Sequence, residues 1–195
     1  MQGKDHPYLI VGLGNVGLAY QHNRHNVGFM VLNRLAQELD VPFSASELDA
    51  LVGHTSYQGH TVILAKPQTY MNNSGRAVRS LLRSYELPLE QILVVYDDVD
   101  LPFESLRLRP EGGAGGQKGV KSIIEAMGTE EFARLRIGVG RPPGKMPVDS
   151  YVLRDFSEQE REVLPFVLDD AVQAILTFVT EGIEQAMNEY NRTPS

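Results

Sequence analysis

The sequence contains no cysteine, so disulfide bonds and thiolate metal sites are excluded. Long apolar runs are missing as well. Those that occur, such as Leu9–Val11, Val62–Ala65 and Ile92–Val95, fall far short of the roughly 18 residues that cross a bilayer. The opening stretch Met1 to Pro7 is polar and runs straight into an apolar segment, which is not the form of a signal peptide. The expectation is a cytoplasmic protein with no membrane partner. Internal repeats and low-complexity segments are also absent. Positive charge is in short supply: 18 basic against 25 acidic side chains give a net charge of −7, which taken alone speaks against a nucleic-acid partner. The distribution softens that inference. Residues 101–145 carry eight basic and five acidic side chains, whereas residues 146–195 carry three basic and ten acidic. A locally basic middle segment can meet phosphates while an acidic tail keeps the chain soluble.

What remains is globular in composition, 42% apolar and 22% charged, over 195 residues, a length that suits one domain. Tyr8–Leu13 reads as a buried strand ending in glycines. Val27–Leu39 places Phe29, Leu32, Leu35, Ala36 and Leu39 on one helical face, with Asn26 in position to cap it. Leu51–Tyr57 and Thr61–Lys66 flank Gln58-Gly59 as a hairpin. Asn73 or Ser74 can cap the next helix, and Ile92–Tyr96 is a short strand ending at Asp97. Ser105–Leu108 and Leu135–Val139 read as further strands, with a glycine-rich loop, Gly112 to Gly119, and a helix near Val120–Met127 between them. Ser157-Glu158-Gln159-Glu160 opens a long helix as a capping box. Pro165 is expected to kink that helix, and Gly182 to separate a last short one. The pattern predicts a single α/β domain over 1–195, a twisted mixed β-sheet with helices on both faces. In such folds the sites lie at strand ends and in the loops that follow them.

Gly12-Leu13-Gly14-Asn15-Val16-Gly17 matches the dinucleotide fingerprint G-x-G-x-x-G. The fingerprint requires its third glycine to open a helix that receives pyrophosphate. Here a polar stretch follows, the helix begins roughly ten residues later, and no acidic residue closes a second strand. A dinucleotide-binding oxidoreductase is therefore the weakest of the readings. Of five histidines, His25 has the richest setting, in a loop just before a helix. Asp97, at the end of a central strand, is its candidate partner: a carboxylate on one ring nitrogen leaves the other free to take a proton from water. Asp97-Asp98-Val99-Asp100 could instead bind a divalent cation, but no histidine or glutamate is spaced with it. The amides of Asn15 and Asn72 suit reading a peptide group, or serve turns. Tyr20 and Tyr70 can stack on a base or form an ordinary rim. Arg107 and Arg109 alternate along one strand, Arg134 and Arg136 along another. Pairing would gather them as a phosphate site or leave a solvated face.

Five blocks occur in order: Val11-Gly12-Leu13-Gly14-Asn15 with Tyr20 and Arg24-His25-Asn26; Lys66-Pro67-Gln68-Thr69-Tyr70-Met71-Asn72-Asn73-Ser74-Gly75; Asp97-Asp98-Val99-Asp100-Leu101-Pro102; Gly112–Gly119; and Arg134-Leu135-Arg136-Ile137-Gly138-Val139-Gly140-Arg141-Pro142. Together, from Leu9 to about Asn188, they resemble the bacterial peptidyl-tRNA hydrolase family. The resemblance implies cleavage of the ester between a peptide and the 3′ end of tRNA, by a monomer that needs no cofactor and no metal. It implies peptidyl-tRNA as the partner, held by its 3′ end and acceptor stem. His25 matches the catalytic base, Asp97 the aspartate that supports it, and Asn15 the residue that helps to distinguish N-blocked from free aminoacyl esters. Tyr20, Tyr70 and Asn72 match positions lining the site, and Arg109 and Arg136 match a proposed phosphate clamp. One block departs from the pattern: many members read Gly-Gly-His-Asn-Gly where this chain has Gly115-Gly116-Gln117-Lys118-Gly119. Lys118 cannot accept the hydrogen bond of the asparagine it replaces, although an ammonium would suit a phosphate. The altered loop also leaves open a catalytically inactive RNA-binding protein on the same fold.

Overall fold

The computed structural model describes residues 5–194. Most of the polar Met1–Pro7 stretch therefore lies outside the described residues. The architecture follows from the apolar periodicities. Strand β1 (Tyr8–Gly12) is buried along nearly its whole length and sits mid-sheet, parallel to both β4 (His60–Pro67) and β5 (Ile92–Asp98). Strand β7 (Ala133–Gly138) extends the parallel set beyond β5. The predicted hairpin joins β3 (Ala50–Tyr57) to β4, with the short β2 (Ala45–Glu47) outside it and β6 (Leu106–Arg109) antiparallel at the other edge. The order is β2-β3-β4-β1-β5-β7-β6, a seven-stranded mixed sheet.

Successive residues of the buried strands serve opposite faces. Ile10, Leu64, Leu93, Val95, Leu135 and Ile137 pack under helices α1 (Val27–Glu38), α5 (Glu158–Glu181) and α6 (Ile183–Tyr190). Leu9, Val11, Ile63, Val94 and Tyr96 pack under α2 (Ser74–Ser84) and α3 (Lys118–Met127). The expected helices on both faces are thus present. A short helix α4 (Val148–Val152), which the sequence reading did not anticipate, adds Tyr151 and Val152 to the α1 face. By length and composition α5 could cross a membrane, but its apolar stripe, including Val167, Ala171, Val172, Ile175 and Phe178, is part of the core. Its Ser157–Glu160 capping box is formed in both directions, and the helix runs unbroken through Pro165.

Two cap assignments are corrected. Asn26 stands at the N-cap of α1 and Asn73 at that of α2, yet neither side chain bonds to its helix. Ser74 donates back to the Met71 carbonyl at 2.7 Å. Asn26 serves a longer-range purpose, described below. Strand β5 continues two residues past Tyr96, so Asp97 belongs to the strand itself.

Helix α1 approaches the sheet closely because its second residue is glycine. A Cβ on Gly28 would lie 2.4 Å from the Val95 carbonyl oxygen and 2.6 Å from the Leu13 nitrogen. Both neighbours are backbone and cannot step aside. Gly12 faces the same contact, 2.4 Å from the Gly28 oxygen. The first glycine of the apparent dinucleotide fingerprint is therefore used for helix–strand packing. Gly28→Ala gains about 1 kcal/mol of helix propensity but is expected to lose more through overpacking, for a net destabilisation of about 2 kcal/mol. Urea unfolding measures this, and an unchanged midpoint would contradict the packing account.

Candidate active site

Four chain segments meet at the carboxyl ends of β1, β4 and β5, the place where open α/β sheets bind ligands. They enclose a cavity of about 510 Å³. Its floor holds His25, Asp97, Asn15 and Gln117, its rim Tyr70 and Asn72, and its far wall Val148, Asp149, Val152 and Leu153 of the α4 region.

Asp97 enters because of alternation along β5. Leu93 and Val95 face α1, so Asp97, two residues on, faces the same way, toward the turn that precedes α1. His25 is in that turn. The His25 Nδ1 lies 2.8 Å from Asp97 Oδ2. Asp97 is 3% exposed and His25 9%. A buried carboxylate on Nδ1 selects the ring form that carries its proton there and leaves Nε2 as an acceptor. The other carboxylate oxygen, Oδ1, accepts a hydrogen bond from the Gln117 amide at 3.0 Å. Gln117 in turn caps α3, its Oε1 accepting from the Val120 N–H at 2.9 Å.

A second network fixes the loops around this pair. The Asn15 N–H donates to Asn26 Oδ1 at 2.8 Å, and Asn26 Nδ2 donates to the Asn15 carbonyl at 2.9 Å. The Asn26 amide thus pairs with backbone as a strand would, tying the exit of β1 to the turn that carries His25. Asn15 Oδ1 accepts from the Met71 N–H at 2.9 Å, which ties in the exit of β4. This commitment of the oxygen leaves the Asn15 amide nitrogen for a ligand. Arg24 anchors the α4 wall. It stacks on the Tyr151 ring at 4.2 Å, pairs with Glu160 at 2.9 Å and donates to the carbonyls of Tyr151 and Arg154. Burial pushes the Tyr151 hydroxyl above its ordinary range, against the opposing pull of Arg24, and that hydroxyl donates to the Val139 carbonyl at 2.8 Å.

The acidic run does not converge on one point. Asp98 accepts from Arg136 Nε at 2.6 Å and from the Asp100 N–H at 2.8 Å, and Asp100 pairs with Arg141. Among the described residues no three His, Asp or Glu side chains are grouped to hold a metal ion.

Residues 9–195 match the family model described as peptidyl-tRNA hydrolase. The chain belongs to the peptidyl-tRNA hydrolase family. It is 46% identical to the peptidyl-tRNA hydrolase of Syntrophomonas wolfei over 94% of this chain and 99% of that protein. It is also 46% identical to the chloroplastic peptidyl-tRNA hydrolase of Arabidopsis thaliana, over 97% of this chain and 66% of that protein. The crystal structure of peptidyl-tRNA hydrolase from Acinetobacter baumannii superposes with a TM-score of 0.89 at 33% identity, covering 98% of this chain and 99% of that one. An Arabidopsis 5′-methylthioadenosine nucleosidase has a TM-score of 0.51 at 8% identity, a likeness of fold alone.

Of the residues that the resemblance to peptidyl-tRNA hydrolases singled out, five line the cavity: His25, Asp97, Asn15, Tyr70 and Asn72. Tyr20, Arg109 and Arg136 lie outside it. Tyr20 is half-buried in a short 3-10 turn. The register of β6 on β7 sets Arg107 opposite Arg136 and Arg109 opposite Arg134. Since Leu106, Leu108, Leu135 and Ile137 face α1, all four arginines project from the other face. They are not equivalent there. Arg134 is buried and donates to the carbonyls of Phe132, Gly113 and Glu130, and Arg136 is paired with Asp98. Arg109 is exposed. Lys118, where many peptidyl-tRNA hydrolases have asparagine, reaches across the cavity mouth to Asp149 at 3.0 Å. Sequence reasoning missed Gln117, Met71, Arg141 and the whole α4 wall. Gln117 carried one signal, a polar residue just before a helix.

The two asparagines expected as caps provide a contrast. Asn26→Asp keeps the acceptor for the Asn15 N–H but turns an oxygen toward the Asn15 carbonyl, so it should destabilise by about 1–3 kcal/mol. Asn73→Ala, at an exposed side chain with no helix bond, should stay within about 0.5 kcal/mol of wild type. Denaturant midpoints measure both, and equal losses would contradict the assignment.

Proposed function

We propose that this chain hydrolyses the ester joining an N-blocked peptide to the 3′ end of tRNA, with His25 as general base supported by Asp97. The observation that carries the reading is the 2.8 Å contact between His25 Nδ1 and Asp97 Oδ2 at the floor of an open cavity. With Nδ1 committed as donor, Nε2 accepts a proton from water as the water oxygen attacks the ester carbonyl. The imidazolium that forms rests against the Asp97 carboxylate. Collapse of the tetrahedral intermediate breaks the bond to the ribose oxygen, which takes the proton back from Nε2. The products are a peptide carboxylate and tRNA with a free 3′-terminal hydroxyl. No serine or cysteine nucleophile is needed. The Asn72 amide at the rim, or a backbone N–H, supplies the donor for the oxyanion.

Selection of N-blocked substrates follows from Asn15. Its oxygen is occupied by the Met71 N–H, so its amide nitrogen presents N–H groups to the cavity. These suit the carbonyl of a blocked amino group and offer nothing to a free ammonium. Tyr70, 64% exposed at the rim, suits stacking on a base of the 3′ end, and Tyr20, outside the cavity, would meet the chain further along. The exposed Arg109 meets acceptor-stem phosphates, and Arg136, paired with Asp98 in the free protein, joins it only by exchanging that carboxylate for a phosphate. A monomer acting in the cytoplasm as one peptidyl-tRNA hydrolase-like domain over 1–195 is the form this reading takes. The alternative of an inactive RNA-binding protein is disfavoured by the His25–Asp97 contact, which Lys118 does not disturb: its ammonium is turned to Asp149.

The test is release of N-acetyl amino acid from labelled N-acetyl-aminoacyl-tRNA, with unblocked aminoacyl-tRNA as control. Wild type should release only the blocked amino acid. His25→Ala should lower turnover by about 10²–10⁴-fold, and Asp97→Asn should slow the chemical step while leaving binding intact. Wild-type turnover in His25→Ala would remove the base from the scheme.

A further inference from the structure

Asp97 is almost fully buried, yet His25 engages only one of its oxygens. A buried carboxylate is tolerated in its ionised form when its remaining lone pairs find donors. The donor to the second oxygen is the Gln117 side chain, itself 7% exposed, with Nε2 at 3.0 Å from Asp97 Oδ1. We propose that Gln117 is a positioning residue for the hydrolysis, holding the Asp97 carboxylate in the orientation that supports His25; the inference rests on the general-base reading above.

The geometry fixes which end of the amide does this. Oε1 of Gln117 accepts from the Val120 N–H at 2.9 Å. Rotating the amide by half a turn would set its oxygen against the carboxylate and its NH₂ against a backbone N–H. Both contacts are repulsive, so the network admits one orientation. The amide is therefore locked by the first turn of α3, a ten-residue helix whose buried start, Gly119 and Val120, is packed into the core. Nε2 also lies 3.3 Å from the Met71 sulfur, and the Met71 backbone N–H holds Asn15. A line of fixed contacts thus runs from the α3 cap through Gln117 and Asp97 to the imidazole. The reacting atoms themselves are met by His25 alone in this line. A glutamine does not titrate, so its donation is constant across the working pH range.

The amide has two separable functions, a cap through its oxygen and a donor through its nitrogen, and two variants separate them. Gln117→Ser keeps a favoured N-cap acceptor for α3 but is too short to reach Asp97. Gln117→Glu keeps an acceptor at full reach and, assayed at a pH high enough to ionise both carboxyls, replaces the donor with an oxygen that faces Asp97. Each is assayed on N-acetyl-aminoacyl-tRNA beside wild type and His25→Ala, with thermal unfolding recorded for all four. The expected result is a fall in kcat of about 10-fold or more in Gln117→Ser, the scale of a hydrogen bond to a charged group. The fall in Gln117→Glu should be at least as large. KM should be nearly unchanged, and Gln117→Ser should stay folded with a melting temperature somewhat below wild type, because Asp97 Oδ1 loses its donor. If Gln117→Ser does not fold, Gln117→Glu, which retains the cap at full length, carries the test. Wild-type kcat in either folded variant would overturn the inference, as would a rise in KM at unchanged kcat, which would make Gln117 a substrate contact. Full turnover in Gln117→Ser with lost turnover in His25→Ala would overturn this inference alone. Full turnover in His25→Ala would overturn the reading on which it rests.

Discussion

A single contact between residues 72 positions apart, His25 Nδ1 to Asp97 Oδ2, joins β5 to the turn before α1 at the floor of the cavity. Neither residue could make it without the sheet. Alternation along β5 turns Asp97 toward the α1 face, and the close seat of α1, possible because Gly28 has no side chain, brings the preceding turn down onto the strand end. The Asn26 amide then fastens that turn to the exit of β1, and Asn15 fastens both to the exit of β4. Directional bonds between buried groups suit this work. A misplaced donor or acceptor here would leave a partner unsatisfied at a cost of about 1–3 kcal/mol, so the arrangement is narrowly specified.

The cavity wall is held by unequal forces. Lys118–Asp149 and Arg141–Asp100 cross the mouth between well-exposed side chains, and such pairs contribute only about 0–1 kcal/mol. They tune the charge at the entrance more than they fasten it. The α4 wall is secured from beneath, where the largely buried Arg24 stacks on Tyr151 and pairs with Glu160 at the head of α5. Arg24 is the immediate neighbour of His25, so the wall and the imidazole share one short turn. The charge pattern of the chain falls into place on the sheet. Despite a net charge of −7, β6 and β7 gather four arginines on one face, though two of them are already spent on Asp98 and on backbone carbonyls.

Much of this was legible in the sequence, for identifiable reasons. The strands and helices followed from apolar periodicity, and the site from polar residues standing where strands end. The pairing of His25 with Asp97 was an inference from residue type and strand position that the geometry now supports with a distance. Failures came where side chains act over long range. Asn26 and Asn73 look like caps by position, but Asn26 is drawn away by a backbone partner 11 residues distant, which no local pattern records. Gln117 read as a departure in a glycine loop because its partner, Asp97, is 20 residues earlier in the chain. Helix α4 is five residues long, too short to show a period. The dinucleotide-like glycines matched a motif whose usual purpose they do not serve, since Gly12 is filled by the approach of Gly28.

The most direct test of the central claim is the ring form of His25 in the free enzyme, read from ¹⁵N resonances of labelled histidine above the pH at which imidazoles lose their charge. The account predicts a proton on Nδ1, hydrogen-bonded to Asp97, and a bare Nε2 facing the cavity. It further predicts that Asp97→Asn disturbs this pattern while leaving the other histidines unchanged. A proton resident on Nε2, or a mixture of forms that ignores the state of residue 97, would contradict it.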